Sequence, residues 1–246
     1  MTEVTVLKIL AFETSAKAAS VALWDDGILL AEYFQNSGQT HSRTVMKMAQ
    51  DMLENCDLTP GDLEAVACAV GPGSFTGIRI GVAAAKGFCW GGDLPLCGVS
   101  TLEGMAYGAG VREGIVCCAM DARRQQVYNA LFDNSGGVPV RLTPDRAISL
   151  AELEEELKKI EKPKIMVGDG AELCYNTLGK KGSGCILAPE QTRMQRASGV
   201  ALLARAALLS GAEASGAALT PNYLRLSQAE RERAERLRTQ KECDNG

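Results

Sequence analysis

Three acidic residues and one glycine-rich loop are the features of this sequence that suggest chemistry. Glu13, Asp121 and Asp169 each follow an apolar segment that predicts a β-strand, and carboxylates so placed can hold Mg²⁺ together with a nucleotide. The alternative, that each is an ordinary turn or loop acid, stays open at this point. The other candidate nucleotide or phosphate residues are polar or glycine residues beside these acids and in the loop: Thr14, Ser15, Gly71, Gly73, Ser74 and Gly168.

The glycine-rich stretch GPGSFTGIRIG, at 71–81, follows an apolar run as phosphate-binding loops do. It is not a Walker loop, because Gly77 is followed by Ile78 and not by Lys and a hydroxyl residue. It also misses the dinucleotide pattern G-x-G-x-x-G, because the third glycine position holds Thr76. The strand–loop–helix order still favours an anion, since free N–H groups at a helix start attract negative charge. Ser74 or Thr76 can cap that helix.

Gly77 and Gly81 lie four residues apart, so they share one face of the predicted helix. Glycine inside a helix costs about 1 kcal/mol relative to alanine, and we expect the close approach of another helix to offset it. The apolar face of the preceding helix is the expected neighbour, through packing within one domain or through a subunit interface built from both helices. The candidate interface residues are His41, Val45, Met48, Met52, Gly77, Arg79, Gly81 and Ala84.

The bulk composition narrows the class of protein. Hydrophobic residues make up 46% and charged residues 23% of the 246 residues, which is typical of a globular chain. A net charge of −4 disfavours nucleic-acid binding through an intrinsic basic surface. Nine cysteines without a C-x-x-C pair, and a single histidine, disfavour structural zinc. Signal-peptide features and membrane-length apolar runs are both absent from the sequence, so we expect a cytoplasmic protein with reduced cysteines.

Two parts of the chain repeat the same order of elements. Each opens with two predicted strands joined near an acid, VTVLKILAF and SVALW in the first part, IVCCAM and VYNALF in the second. A gap-free alignment places Glu13 on Asp121, Leu23 on Leu131 and Asp25 on Asp133. A chance match of two hairpins is the alternative; a true repeat predicts two similar α/β domains with a ligand cleft between them. We place them at 1–105, with the interface helices, and 106–220, followed by a charged tail at 221–246.

Six motifs, in order along nearly the whole chain, resemble the TsaB family. They are FETS at 12–15, SVALW at 20–24, THS at 40–42, GPGSFTGIRIG at 71–81, MDARRQQVY at 120–128 and PNYLR at 221–225. The resemblance implies the duplicated α/β fold of the actin-like and sugar-kinase ATPases, in agreement with the internal repeat. It also implies the non-catalytic partner in the bacterial biosynthesis of threonylcarbamoyladenosine in tRNA.

Further expectations come from the same resemblance. It implies a heterodimer with TsaD through the N-terminal helices, TsaE and the carbamoyl-adenylate synthase TsaC in the same pathway, and tRNA contact only through the complex. Alone, the chain would form a homodimer through the same surface. No tightly bound cofactor is implied, but ATP or ADP with Mg²⁺ could lie at a shared interface. TsaD-like members bind metal through an H-x-x-x-H pair, which a chain with one histidine cannot form; we therefore assign no catalytic residue and no metal site, and give His41 a capping or interface role.

Other functions compete with this interpretation. The chain could be an ATP-dependent kinase or hydrolase using Glu13, Asp121 and the glycine loop, a metal-dependent peptidase, or a self-associating structural protein without a tRNA role. One departure from the family lies at Val45 and Met46, where relatives usually carry Leu followed by Pro, which leaves the start of that helix open.

Overall fold

Two β-sheets with the same strand order form the framework of the protein, in a computed structural model that describes residues 7–90, 94–110, 113–178, 184–211 and 218–225. The first sheet has the order β3-β2-β1-β4-β5 and the second β11-β10-β6-β7-β8, with β9 also paired to β7. Each sheet therefore has an antiparallel meander followed by two parallel strands. The strands are β1 (Lys8–Glu13), β2 (Ala19–Asp25), β3 (Ile28–Gln35), β4 (Ala65–Gly71), β5 (Leu96–Ser100), β6 (Ile115–Asp121), β7 (Gln126–Asp133), β8 (Val140–Arg141), β9 (Arg146–Ser149), β10 (Lys164–Val167) and β11 (Cys185–Leu187).

The shared strand order confirms the predicted fold class, a duplicated α/β fold of the actin-like kind. The gap-free alignment of the halves is wrong by one residue in their second strands. Glu13 pairs with Ser20 across the first hairpin, whereas Asp121 pairs with Val127 and not with Tyr128 across the second. The reason is loop length, because residues 14–18 join β1 to β2 but only residues 122–125 join β6 to β7. A one-residue gap is needed to keep the same side chains on the same face.

Seven helices within the described residues cover the faces of the two sheets. They are α1 (His41–Asn55), α2 (Phe75–Trp90), α3 (Thr101–Gly108), α4 (Leu150–Lys158), α5 (Ala171–Leu178), α6 (Glu190–Arg193) and α7 (Ala197–Leu209), with a 3-10 turn at Pro60–Asp62. Of the two predicted caps of α2, Ser74 is the one used: the helix begins at Phe75, and the Ser74 hydroxyl accepts a hydrogen bond from the N–H of Gly77 at 3.2 Å.

The halves exchange their last helices. α1 and α2 cover one face of the first sheet, and its other face packs against α7, which comes from the end of the second half. In the second half, α3 from the first half covers one face of the sheet, and α4 and α5 cover the other. The predicted boundary between 105 and 106 falls inside α3. The three predicted domain ranges remain predictions, and the tail from 226 lies outside the described residues.

The exchanged helices cross at glycine. A Cβ on Gly199 would overlap the carbonyl oxygen of Gly104 and would lie 3.0 Å from the N of Gly108. The absence of a side chain at Gly199 thus lets α7 approach the backbone of α3, which offsets the weak helix propensity of glycine. This crossing is a direct contact between the two halves.

Candidate functional site

A cleft of about 610 Å³ lies where loops from both sheets converge. Strands β1, β4, β6 and β10 all deliver the chain into its wall at their carboxyl ends, the usual position of a ligand site in α/β sheets. The lining comes from 15–18 after β1, 73–75 after β4, 120–123 at the end of β6, Asp169 and Glu172 after β10, and the segments 194–195 and 222–225.

The structure brings together most of the predicted nucleotide or phosphate residues. Ser15, Gly73, Ser74, Asp121 and Asp169 line the cleft. The remaining four, Glu13, Thr14, Gly71 and Gly168, lie behind the lining. All nine lie at the carboxyl ends of β1, β4, β6 and β10 or in the loops that follow them, but a nucleotide or phosphate role for them remains a prediction.

Glu13 is a buried carboxyl group directly behind the cleft. Burial raises its pKa to about 7, although the Ser15 hydroxyl and N–H lower it, and the charge of Asp169 raises it further. The N–H of Ser15 donates to Glu13 Oε1 at 2.6 Å. Because this carboxyl group is 1% exposed, it acts on the cleft only through its neighbours.

Asp169 and Asp121 supply the carboxylates of the cleft itself. Burial raises the pKa of Asp169, and the nearby charge of Asp121 raises it as well, while a hydrogen bond from Gln195 Nε2 at 3.0 Å opposes the shift. Asp121 accepts a hydrogen bond from the N–H of Arg123 at 2.7 Å and forms an ion pair with its guanidinium at 3.2 Å. The two acids therefore face a common space, with Asp169 bonded to an amide and Asp121 paired with a guanidinium group.

Four hydrogen-bond donors of these loops are bonded within the chain. The N–H of Ser74 donates to the carbonyl of Ser15 at 2.6 Å, and the N–H of Ser15 donates to Glu13. The Thr14 hydroxyl donates to the carbonyl of Gly77 at 2.8 Å, and the N–H of Gly168 donates to the carbonyl of Arg193 at 2.6 Å. Free N–H groups at a helix start can bind an anion; these four donors are instead engaged in contacts that hold the loops in place, and the phosphate role of the loops stays a prediction.

The second hairpin loop has an unusual backbone. Arg123, Arg124 and Gln125 have φ values of 65°, 55° and 58°. Three successive residues other than glycine in the left-handed region are costly, and such geometry is concentrated at functional sites. This loop reaches the cleft through Asp121, Ala122 and Arg123.

A C-terminal segment, residues 218–225 and here called the strap, crosses from one half to the other over the cleft. Leu219 enters the core of the first half, and the N–H of Asn222 donates to the carbonyl of Val70 at 2.7 Å. Tyr223 stacks on Phe75 with ring centroids 4.4 Å apart. On the other side, Arg225 donates to the carbonyl of Ala122 at 2.7 Å. The strap thus ties the glycine loop to the second hairpin loop.

The candidate interface residues separate into two groups. Val45, Met48 and Met52 are buried in the core between α1 and the first sheet, and Ala84 is 8% exposed, so these side chains cannot form a free surface. Arg79 is exposed on α2, where it lies over the Phe75 ring and donates to Tyr223 Oη at 2.8 Å.

The role proposed for the α2 glycines also changes. A Cβ on Gly77 would overlap the carbonyl oxygen of Thr14, and one on Gly81 would overlap the Thr14 hydroxyl. The expected neighbour was helix α1, and that expectation is wrong. The glycines admit the chain leaving β1, which explains why α2 packs so close to the cleft wall.

His41 does not cap α1, whose N-cap is Thr40. Its Nε2 donates to the carbonyl of Ala16 at 2.7 Å, which links the first turn of α1 to the loop after β1. Any contact of His41 with another subunit remains a prediction.

Sequence reasoning missed several residues of the cleft. Lys17, Tyr128, Gln195 and the strap residues Tyr223 and Arg225 all line it. The motifs MDARRQQVY and PNYLR contain three of these residues, so these motifs could have indicated them as residues of the site. Gln195 has no such signal, because only the tertiary fold brings 194–195 beside Asp169.

The side chains of the described residues offer no metal centre. Within those ranges, His, Cys, Asp and Glu form no group of three that could hold a metal ion. Among the described helices, none combines the length and apolar character needed to cross a bilayer.

Comparison with known proteins gives consistent matches over most of the chain. Residues 30–233 match the family model of TsaD, described as tRNA N6-adenosine threonylcarbamoyltransferase. The chain is 34% identical to the tRNA threonylcarbamoyladenosine biosynthesis protein TsaB of Bacillus subtilis, over 91% of this chain and 96% of the relative. It is 33% identical to TsaB of Escherichia coli, over 89% and 95% of the two chains.

A solved structure supports the fold independently. YeaZ from Pseudomonas aeruginosa superposes with a TM-score of 0.68 at 23% identity, covering 89% of this chain and all of that one. At this level of identity the likeness shows the shared fold.

Proposed function

The chain belongs to the TsaB family, within the wider TsaD family, and on that premise we propose that it serves in the biosynthesis of threonylcarbamoyladenosine in tRNA as a non-catalytic subunit that binds and activates TsaD. The observation that carries the proposal is the match to TsaB relatives over about nine tenths of the chain. The modified base is the adenosine next to the anticodon, and the chain acts on it only through its partner.

The chemistry of the chain supports an accessory role. It contains one histidine, so the histidine pair that the resemblance assigns to TsaD cannot form, and His41 is engaged with a backbone carbonyl. Glu13, whose pKa burial raises to about 7, is enclosed by the chain and not exposed to the cleft.

The outer face of α1 and α2 is the surface we assign to TsaD, and to a second copy of the chain when TsaD is absent. Met46 on α1 is 45% exposed and Trp90 at the end of α2 is 93% exposed. Ala83 and Gly87 are also exposed on α2, and their small size allows another helix to come close. Exposed large apolar residues beside small ones are typical of an interaction surface.

Charged substitutions on this face test the pairing. Met46→Glu and Ala83→Glu should abolish co-purification with TsaD and should leave the unfolding midpoint of the isolated chain unchanged, because both side chains are exposed. Val138→Glu is the matched control, since Val138 is an apolar residue of the second half that is 60% exposed. Retention of the complex by both helix variants would rule out this surface.

The cellular role has its own test. Deletion of the gene should remove threonylcarbamoyladenosine from tRNA, measured by mass spectrometry of nucleosides, and the wild-type gene should restore it. An unchanged level would refute the proposed function.

In this proposal, ATP or ADP with Mg²⁺ binds at a shared interface of the assembled complex. TsaE and TsaC act in the same pathway. Calorimetry on the isolated chain distinguishes this arrangement from an ATP-dependent kinase or hydrolase. Tight binding of ATP with Mg²⁺, accompanied by turnover, would support the enzyme instead.

A further inference from the structure

The strap is held unequally at its two ends. At the first half, Leu219 is buried in the core, the N–H of Asn222 bonds to β4, and the Tyr223 ring stacks on the start of α2. At the second half, Arg225 Nη1 donates a hydrogen bond to the carbonyl of Ala122 at 2.7 Å, and within the described ranges no strap residue joins the core clusters of that half. The strap should therefore detach first at Arg225, since local opening begins where the contacts are fewest.

The loop that accepts the Arg225 bond has an unfavourable backbone. Residues 123–125 are all left-handed, although none of them is glycine. Such a conformation persists only where the surrounding contacts hold it. Ala122 directly precedes these residues, so its bond to Arg225 is one of the contacts that hold the loop. Because the same loop lines the cleft, the loss of this bond changes one wall of the cleft and lifts the strap from it.

The other end of the strap is fixed to the outer face of α2. Arg79 Nε donates to Tyr223 Oη at 2.8 Å, and the Arg79 guanidinium lies 3.9 Å from the centroid of the Phe75 ring. Arg79, Ala83 and Gly87 are spaced four residues apart and are all exposed, so they form one row along the helix. Ala83 and Gly87 belong to the surface assigned to the partner. A protein docked on this row therefore reaches Arg79, which holds the strap.

We propose that the strap is a latch on the cleft and that a protein docked on α2 operates it. A carboxylate of the docked protein engages the exposed Arg79 guanidinium, because an ion pair with a carboxylate is stronger than a hydrogen bond to a neutral hydroxyl. Tyr223 then loses its bond to Arg79, the strap loosens, and Arg225 releases the second hairpin loop. The identification of the docked protein as TsaD rests on the proposed function, whereas the latch depends only on contacts within this chain.

Hydrogen exchange of the isolated full chain, followed by mass spectrometry, tests the latch. The reporter is the loop 122–126, where the N–H of Ala122 donates to the carbonyl of Gln126 at 3.0 Å. Arg225→Met should raise the exchange of this loop about tenfold, because it removes a hydrogen bond from a charged group. Arg79→Met should raise the exchange of the same loop, an effect that has to pass from α2 through the strap.

Two further variants make the comparison specific. Tyr223→Phe keeps the ring but removes the hydroxyl that accepts the Arg79 bond, so it should change loop exchange in the same direction as Arg79→Met. Arg124→Met is the matched control, because Arg124 is an exposed arginine of the same loop and neither side chain is branched at Cβ; its loop should exchange like the wild type. Thermal melting, and unchanged exchange in β2, exclude a general loss of stability. Wild-type exchange of the loop in Arg225→Met, or an effect of Arg79→Met confined to α2, would overturn the latch.

The same measurement with TsaD tests the control of the latch. Addition of TsaD to the wild type should raise the exchange of the loop 122–126, and Arg79→Met, in which the loop already exchanges fast, should lack this response. A complex that forms without any change in loop exchange would overturn the coupling between α2 and the strap. Failure of TsaD to bind would contradict the proposed function instead, and the exchange of the isolated variants would still decide whether the strap is a latch.

Discussion

At the scale of single residues, the burial of Glu13 has the largest consequence. The carboxyl group ends β1 with its side chain enclosed, and burial raises its pKa from 4.5 to about 7. The hydrogen bond from the N–H of Ser15 keeps the side chain in place in either protonation state. The residue therefore holds the first hairpin loop against the cleft wall instead of presenting a charge to a ligand.

Replacement of Glu13 by glutamine should change how stability depends on pH. The raised pKa means that the folded state holds a proton that the unfolded state releases, so the contribution of Glu13 to stability is greatest below about pH 4.5 and is lost as the pH rises towards about 7. A shift of this size corresponds to ~3 kcal/mol. A glutamine amide at this position accepts the same hydrogen bond without a charge, so Glu13→Gln should be the more stable protein above about pH 7, by up to that amount.

Urea unfolding of both proteins across this pH range measures the effect. The difference in unfolding free energy should be small near pH 4.5 and should grow towards neutral pH. Asp169, whose pKa burial also raises, contributes in both proteins and largely cancels. A difference that does not change with pH would show that Glu13 is not protonated in the folded state.

At the scale of elements, the crossing of α3 and α7 depends on one missing side chain. Gly199 faces the backbone of α3, and backbone cannot rotate away as a side chain can. Gly77 and Gly81 follow the same rule on α2, where the obstacle is the chain at Thr14. In both places glycine sets the distance between an element and the chain it covers.

Gly199→Ala should destabilise the protein by ~1–3 kcal/mol or more, because the helices must separate to admit the methyl group. Gly87→Ala is the matched control. Gly87, like Gly199, lies within a helix, but it is exposed, and a Cβ there would meet no atom within 4 Å. The control should stabilise the protein slightly, by up to ~1 kcal/mol, through helix propensity. Urea unfolding followed by circular dichroism compares the two, and equal effects would mean that the crossing tolerates a side chain.

At the scale of the whole molecule, the exchange of helices makes each half depend on the other. α7 completes the core of the first sheet around Ile9 and Ala11, and α3 completes the core of the second around Val116 and Cys118. The strap adds a further connection between the halves over the cleft. If one half unfolds, the sheet of the other half loses the helix that covers one of its faces, so the two halves should unfold together.

Separate probes for each half test this cooperativity. In a Trp90→Phe variant, Trp24 reports on the first half, where it packs against the α7 core cluster. Cys118 reports on the second half, since burial raises the pKa of its thiol and blocks alkylation until the sheet opens. Fluorescence and mass-spectrometric alkylation should give the same urea midpoint. Alkylation of Cys118 at lower urea, before the fluorescence change, would show independent unfolding of the halves.

The sequence by itself determined the elements and the repeat. Alternating and continuous apolar runs indicated the strands, serine caps indicated helix starts, and glycines indicated turns. The acids Glu13 and Asp121 marked equivalent strand ends. All of these signals act between residues close in the chain. The motifs that line the cleft, PNYLR among them, could be recognised in the sequence, but the sequence did not show where they lie in the fold.

Only the tertiary structure decided what these residues face. It placed Gly77 and Gly81 against Thr14 instead of another helix, buried Val45, Met48 and Met52 between α1 and the first sheet, and shifted the second hairpin by one residue. It also brought Gln195 beside Asp169 and carried the strap across both halves. Local patterns cannot settle such contacts, because they join residues far apart in the chain and depend on how closely two backbones can approach.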